Sequence, residues 1–353
     1  MHVRRAPVTD RKIRFALAGC GRIAASHFEA VKAHAERCEL TDVCDDDPAA
    51  LAAAAASTGA QGHANFTAML AHSRADCVVL TTPSGLHPAQ ATEAARAGFD
   101  VMTEKPMATR WTDGLAMVRA CDEAGVRLFV VKQNRRNRTL QLLKQAVQKG
   151  RFGRIHMVGV NVFWTRPQAY YDSAAWRGTW EFDGGAFMNQ ASHYVDLLDW
   201  IVGPVESVMA YTGTLLRDIE VEDTGVAALK WRSGAMGTIN VTMLTYPKNL
   251  EGSITVLGEK GSVRVGGVAV NEIQHWAFDA PDAMDAQVAD ASYQTTSVYG
   301  FGHPLYYGNV IDTLRGEAQP EIDGREGLKS LELLIAMYLS ARDGKRVNLP
   351  LAY

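Results

Sequence analysis

The stretch "RFALAGCGRIAASH", residues Arg14 to His27, decides how this chain begins to fold. Residues 14–18 form an apolar run of strand length. Gly19-Cys20-Gly21-Arg22-Ile23-Ala24 follows, and a helical stretch covers 24–35. A glycine at 19 permits the tight turn out of a strand. A glycine at 21 lets the backbone approach a pyrophosphate, and the small Ala24 allows close packing of helix on strand. The N-terminus of that helix favours negative charge. Gly19, Gly21, Arg22 and Ile23 are therefore candidate contacts to a dinucleotide, the alternative being a glycine turn with no ligand.

The pattern continues outward from this turn. Apolar strands are expected at 39–44, 77–81, 101–103 and 128–131, separated by helices at 48–57, 66–72, 88–97 and 111–124. Strand–helix–strand alternation implies a parallel sheet with right-handed crossovers. After Thr139 the texture changes. A helix at 139–149 ends on Gly150, and period-two strands follow at 155–164, 205–211, 224–231, 237–243, 253–257 and 262–265. Val158, Val160, Val162 and Trp164 mark one face of the first of these. Helices are expected near 188–201, 305–315 and 324–343. The fold class is an α/β N-terminal domain followed by an α+β C-terminal domain with a largely antiparallel open sheet. Residues 1–11 are expected to be a flexible arm, 12–135 the nucleotide domain, and 136–353 the domain for substrate binding and oligomerisation.

Bulk properties narrow the classes. The 353 residues are 47% hydrophobic, enough for two cores. A net charge of −3 gives no basis for a nucleic-acid partner. The five cysteines are odd in number and contain no CxxC pair, which points to a reducing, cytoplasmic compartment. The ten histidines show no metal-ligand spacing, so no metal is expected. The N-terminus lacks the apolar segment of a signal peptide, and no run reaches transmembrane length, so no membrane partner is expected.

The carboxyl ends of the first-domain strands carry the chemistry. Asp45, followed by Asp46 and Asp47, stands where an acid binds ribose hydroxyls. Three carboxylates with no neighbouring Arg or Lys favour NAD over NADP. Asp46 and Asp47 are also readable as solvated loop acids, with Asp47-Pro48 opening the next helix. In "LTTPSGLHP", Thr81, Thr82, Pro83 and His87 are placed to touch the cofactor, though His87 is also suited to cap the following helix. "VMTEKP", residues Val101 to Pro106, ends its strand on Glu104, Lys105 and Pro106 at the same edge. A surface ion pair there would be worth little. A strand end facing the cofactor crevice puts Lys105 beside the expected nicotinamide instead.

Taken with Gly184-Gly185 and His193, these motifs resemble the Gfo/Idh/MocA oxidoreductases over nearly the whole chain. The resemblance implies an N-terminal Rossmann domain, a C-terminal sheet used for oligomerisation as a dimer or tetramer, and Lys105 near the reacting hydroxyl. In "WEFDGGAFMNQASHYVDLLDW", Asn189 and His193 are four apart, so they are expected to share a helix face. Many relatives have Asp at the position of Asn189. An Asn carries no charge, so the resemblance implies that His193 titrates lower here, or that Lys105 carries more of the proton chemistry. Trp176 and Arg177 match a pair that lies near the cofactor in relatives, the plain alternative being a packed Trp with a surface Arg. Gln133, Asn134, Arg135 and Arg136 form a basic, amide-rich segment that suits either an anionic substrate or a solvated linker.

Further stretches, among them "FVVKQNRRN", "VFWTRPQAYYD" and "YGFGHPLYY", resemble the subgroup that oxidises the C3 hydroxyl of UDP-2-acetamido-2-deoxy-D-glucuronate (UDP-GlcNAcA) on the route to bacterial lipopolysaccharide sugars. The resemblance implies a UDP-sugar substrate. Its diphosphate and carboxylate need cations, and guanidiniums suit them. Lys105, Asn134, Arg135, Arg166, Tyr171, Asn189, His193, His303 and Tyr307 are the candidate substrate contacts. Glu104 is expected to orient Lys105 or touch the cofactor, and Gln133 is grouped with the cofactor contacts. Rival readings are a dehydrogenase of a neutral polyol such as inositol, an NAD-dependent glycosidase, and a non-catalytic NAD-bound regulator.

Overall fold

The computed structural model describes residues 6–295 and 302–351. The chain forms two compact units. One holds the residues up to Lys132 together with His303–Leu331, and the other holds Gln133–Gly302 and the residues from Glu332 onward. The first unit thus includes a late segment that a sequential reading assigns to the second domain.

The sheet of the first unit is built from β1 (Ile13–Ala18), β2 (Cys38–Cys44), β3 (Gln61–His63), β4 (Cys77–Leu80), β5 (Asp100–Thr103) and β6 (Leu128–Val130). Its order is β3-β2-β1-β4-β5-β6 and every pairing is parallel. The order reverses between β1 and β4, so a crevice opens at their carboxyl ends. β4 and β5 are buried at every residue, as strands covered on both faces must be. The connecting helices are α1 (Ala24–Ala33), α2 (Pro48–Thr58), α3 (Phe66–His72), α4 (His87–Arg96) and α5 (Trp111–Ala124). Local chemistry sets their ends. Asp47 accepts from Ala49 N at the start of α2, Pro48 takes the first turn, and Gly59 at φ +74° ends it. Asn65 caps α3 through Ala68 N. β3 is an addition to the expected strands, because Gln-Gly-His carries no apolar pattern.

The second unit holds β7 (Ile155–Phe163), β8 (Val205–Gly213), β9 (Thr224–Trp231), β10 (Met236–Thr242), β11 (Glu251–Gly258), β12 (Gly261–Gly266), β13 (Glu272–Phe278) and β14 (Val347–Asn348). They form one sheet in the order β13-β12-β11-β7-β10-β9-β8-β14. β7 and β10 run parallel, and the other neighbours are antiparallel. Alternation puts Val158, Val160, Val162, Ile239, Val241, Ile254 and Val256 on a fully buried face. Met157, Met236, Val226 and Tyr211 are exposed. The expected helix at 188–201 is three pieces: a π-helical turn at Ala186–Gln190, an α-helix at Ser192–Leu197, and a second π-helical turn at Leu198–Val202. Among the described residues, no helix is long and apolar enough to cross a membrane, and all five cysteines are free.

Candidate active site

The glycine turn is shaped by what lies against it. Gly19 has φ +94°, and a Cβ there would fall 2.6 Å from Thr82 N and 2.7 Å from the Thr81 carbonyl carbon. The turn must therefore be bare backbone for the β1 and β4 ends to approach. Thr81 closes the contact: its hydroxyl donates to Ala18 O and Gly19 O at 2.9 and 2.6 Å. A Cβ on Gly21 would meet no protein atom within 4 Å. That open side, at the start of a helix with no side-chain cap and no acid in its first turn, is the cradle a pyrophosphate needs. Arg22 is exposed and Ile23 is half-buried at the start of α1.

Asp45 stands beside the same turn. One carboxylate oxygen accepts from Cys20 N at 2.5 Å and the other from Asp47 N at 2.9 Å. An acid fixed at the end of β2 fits ribose hydroxyls and repels a 2′-phosphate. Thr82 and Pro83 follow β4, with the Thr82 hydroxyl donating to Gln90 at 2.6 Å. His87 is buried, and its ring nitrogens lie 3.0 Å from Pro106 O and 2.9 Å from Thr82 O. Its ring ties two strand-end loops together. The residues of this turn fit a bound dinucleotide.

Lys105 is half-buried after β5, and the Lys105-Pro106 bond is cis. Beneath it lies a polar network that the sequence reading did not find. Glu104 is buried, and its Oε1 accepts from Nε2 of His27 at 3.1 Å and Nε2 of His303 at 3.2 Å. Its Oε2 accepts from the backbone N of Lys105 at 3.1 Å. The Tyr307 hydroxyl stands 2.9 Å from Nδ1 of His27. Burial pushes the Glu104 carboxyl up, but the bonds from His27 and His303 more than offset it and hold it well below the usual range. Burial lowers His27, against the pull of Glu104. A neutral His27 that donates from Nε2 and accepts the Tyr307 proton at Nδ1 satisfies every member. His303 and Tyr307 are thus interior supports of Glu104, and Tyr307 packs edge-on against Phe15 at 5.2 Å. The available signal was His27 itself, on the α1 face that buries Ala24, Ala30 and Val31.

In the second unit His193 is buried, and the amide nitrogen of Gln133 stands 3.1 Å from its Nε2. Gln133 Oε1 and Asn134 Oδ1 are buried acceptors with no partner among the described residues. Leaving them so is costly in a finished core, which marks a place for ligand donors. Asn189 does not share a continuous helix with His193, because Ala191 breaks the helical path between them. Its amide donates to Asp183, which also accepts from Gly178 N at 2.8 Å. Arg135 is buried in a bidentate pair with Asp196, 2.7 Å at each contact, and lies 5.4 Å from the Trp200 ring centroid. Its fork is already occupied by a carboxylate.

Arg166, Trp176 and Arg177 belong to an aromatic cluster of the second unit. The Arg177 guanidinium lies 4.5 Å from the Tyr170 centroid and 4.3 Å from that of Trp176, and it donates to the Tyr170 hydroxyl at 2.8 Å. Arg166 lies 5.4 Å from the Tyr170 centroid. Tyr171 is buried, and burial raises its phenol above the usual range. The double glycine answers to packing. A Cβ on Gly184 would fall 2.5 Å from Met188 Cβ, and one on Gly185 would fall 1.8 Å from Glu222 Oε2.

Comparison with known proteins places both halves of the chain. The family model described as oxidoreductase family, NAD-binding Rossmann fold, matches residues 13–132. The one described as oxidoreductase family, C-terminal alpha/beta domain, matches residues 144–349. The WlbA dehydrogenase from Chromobacterium violaceum, solved in complex with NADH and UDP-GlcNAcA, is 74% identical over 99% of this chain and 100% of its own, with a TM-score of 0.96. The WlbA dehydrogenase from Bordetella pertussis, solved with the same two ligands, is 69% identical over 98% of this chain and 100% of its own, also with a TM-score of 0.96. D-apiose dehydrogenase from Paraburkholderia graminis is 27% identical over 97% of this chain and 91% of its own length. With its N-terminal Rossmann unit and its C-terminal α/β unit both matched, the chain belongs to the Gfo/Idh/MocA oxidoreductase family.

Proposed function

We propose that this protein is an NAD-dependent dehydrogenase that oxidises the C3 hydroxyl of UDP-GlcNAcA to the 3-keto sugar. The observation that carries the reading is end-to-end identity of 74% and 69% with two dehydrogenases solved with NADH and UDP-GlcNAcA. The glycine turn, its uncapped helix start and Asp45 support NAD as the cofactor. When bound, NAD supplies a nicotinamide ring that accepts a hydride. Gly19, Gly21 and the start of α1 hold its pyrophosphate, Asp45 its ribose hydroxyls, and Thr81 to Pro83 border it.

The residues of the chain then handle the proton. His193 takes the C3 hydroxyl proton as general base, oriented by Gln133. Lys105 hydrogen-bonds the same oxygen and stabilises its developing negative charge. Glu104, fixed by two imidazoles, anchors the backbone of Lys105. Asn134 accepts from the sugar, and Arg166 and Arg177 supply cations for the anionic groups. The 3-keto product suits an aminotransferase, and our reading is that the reaction serves the synthesis of lipopolysaccharide amino sugars in the cytoplasm. The exposed apolar residues of the second sheet are covered in a homodimer or homotetramer.

The test is direct. Purified protein is given UDP-GlcNAcA, and the 3-keto product is sought by mass spectrometry, since tightly held NAD would stall an absorbance assay after one turnover. Lys105→Ala and His193→Ala should each abolish oxidation and leave NADH binding largely intact. Good turnover of neutral inositol with none of the nucleotide sugar would overturn the substrate; full activity of His193→Ala would move the base elsewhere.

A further inference from the structure

A buried acid in the second unit has no place in the chemistry above. Glu222 is 3% exposed, between β8 and β9. Its Oε1 accepts from Phe187 N at 2.9 Å and from the Tyr338 hydroxyl at 2.8 Å. That hydroxyl in turn accepts from Met188 N at 3.1 Å, and the Glu222 carbonyl accepts from Ala186 N at 3.0 Å. Two consecutive backbone donors at the start of the π-helical turn therefore end on this one residue, and a third reaches it through Tyr338. Its Oε2 is buried without a partner among the described residues, against the bare Cα of Gly185.

The hold passes onward through main chain. Ala191 N donates to Ala186 O at 2.9 Å. Ala191 O then accepts from Tyr194 N at 2.8 Å and Val195 N at 3.0 Å, the residues just after His193. Phe187 is fully buried, with its ring over the bare Cα of Gly225, where a Cβ would fall 2.3 Å from it. π-helical turns are rare and recur at functional sites.

We infer that Glu222 is a positioning residue for His193, acting through the backbone of residues 186–195, and that its ionisation changes how firmly that segment is held. The ionised carboxylate is the stronger acceptor for Phe187 N and Tyr338. The neutral acid releases the cost of a buried charge and weakens both bonds. The groups that face it are Tyr338 from the helix Gly324–Asp343 and the neighbouring Asp223. Tyr338 stays a donor because burial lifts its phenol well above the usual range. The Asp223 carboxylate accepts from Leu215, Leu216 and Arg217 N at 3.0, 2.9 and 2.9 Å. Burial raises Glu222 to about 7, with Asp223 adding to the rise, so the change falls in the working range of pH.

The role of His193 is taken from the functional reading above, so the experiment has two readouts. The C2-proton signal of His193, assigned with His193→Asn, is followed by NMR from pH 5.5 to 8.5 in the NADH-bound protein. Apart from any inflection of the ring itself, the wild type should show a second one near neutrality that Glu222→Gln removes. In the oxidation assay, Glu222→Gln should lower kcat by about tenfold to a hundredfold, the scale of a misplaced catalytic group, and flatten its pH profile with KM for NAD little changed. Tyr338→Phe keeps the acid but removes one hydrogen bond to its anion, so both inflections should move to higher pH. It also serves if Glu222→Gln does not fold, with NADH fluorescence as the check. Variants with wild-type kcat, pH profile and NMR titration overturn the inference. A wild type that does not oxidise UDP-GlcNAcA sinks the functional reading instead, and the spectrum still decides this one.

Discussion

His27→Leu tests the buried network under Lys105. Leucine roughly fills the space of the ring, so cavity formation contributes little. The polar losses remain. Glu104 Oε1 keeps one imidazole donor of two, at 3.2 Å from His303. A hydrogen bond to a charged group is worth about 1.5–3 kcal/mol, and a buried hydroxyl left without its acceptor, here Tyr307, costs about 1–3 kcal/mol. Better burial of leucine offsets part of this, and the net loss should be about 3 kcal/mol. The loss should also depend on pH. Glu104 has a depressed folded pKa, so its contribution is complete above the unfolded value of about 4.3 and is lost as pH falls through the folded one. His27 is also depressed, so its neutral form begins to lose ground below about 6.5. Both signs agree: the gap between wild type and variant is full at pH 7.5 and narrows toward pH 4. Urea unfolding at pH 7.5, 5.5 and 4.0 measures it. A gap below 1 kcal/mol at pH 7.5 would show that the network is not holding an ionised carboxylate, and one of constant size across the series would show that it is not holding His27 neutral.

Two further perturbations probe the turn and the double glycine. Asp45→Ala removes the acceptor of Cys20 N and Asp47 N. NADH affinity should fall at least tenfold and the preference for NADH over NADPH should shrink, as read by fluorescence titration; an unchanged ratio would take Asp45 out of cofactor choice. Gly185→Ala places a methyl group 1.8 Å from Glu222 Oε2 in a packed interior. Overpacking of this kind costs about 1–3 kcal/mol, so the urea midpoint should drop and oxidation should be lost with it. Wild-type stability there would mean that Glu222 moves freely.

The parts of the molecule that were legible in the sequence are those fixed by local pattern. The glycine turn, the largely apolar parallel strands such as β4 and the alternating β7 each announce themselves within a dozen residues. β3 and β13 did not: Gln61–His63 has no apolar residue, and "EIQHWAF" is half exposed with no clean alternation. The run at 188–201 has helical periodicity throughout, but periodicity does not distinguish an α-helix from one entered and left through π-helical turns. Contacts across long separations were invisible for a different reason. His27 meets Tyr307 280 positions away, and Arg135 meets Asp196 61 positions away. Each candidate looked available for a ligand because its partner could not be seen.

The first unit is completed by residues 303–331, which leave the ribosome after almost the whole second unit. Until His303 and Tyr307 arrive, Glu104 has one donor fewer and β6 lacks the bridge from Phe129 to Asp323. A nascent chain ending near residue 132 therefore has its nucleotide turn in place but not the interior that steadies the lysine. A fragment cut after β6 lacks these contacts, so the cofactor half is complete only once synthesis is nearly over.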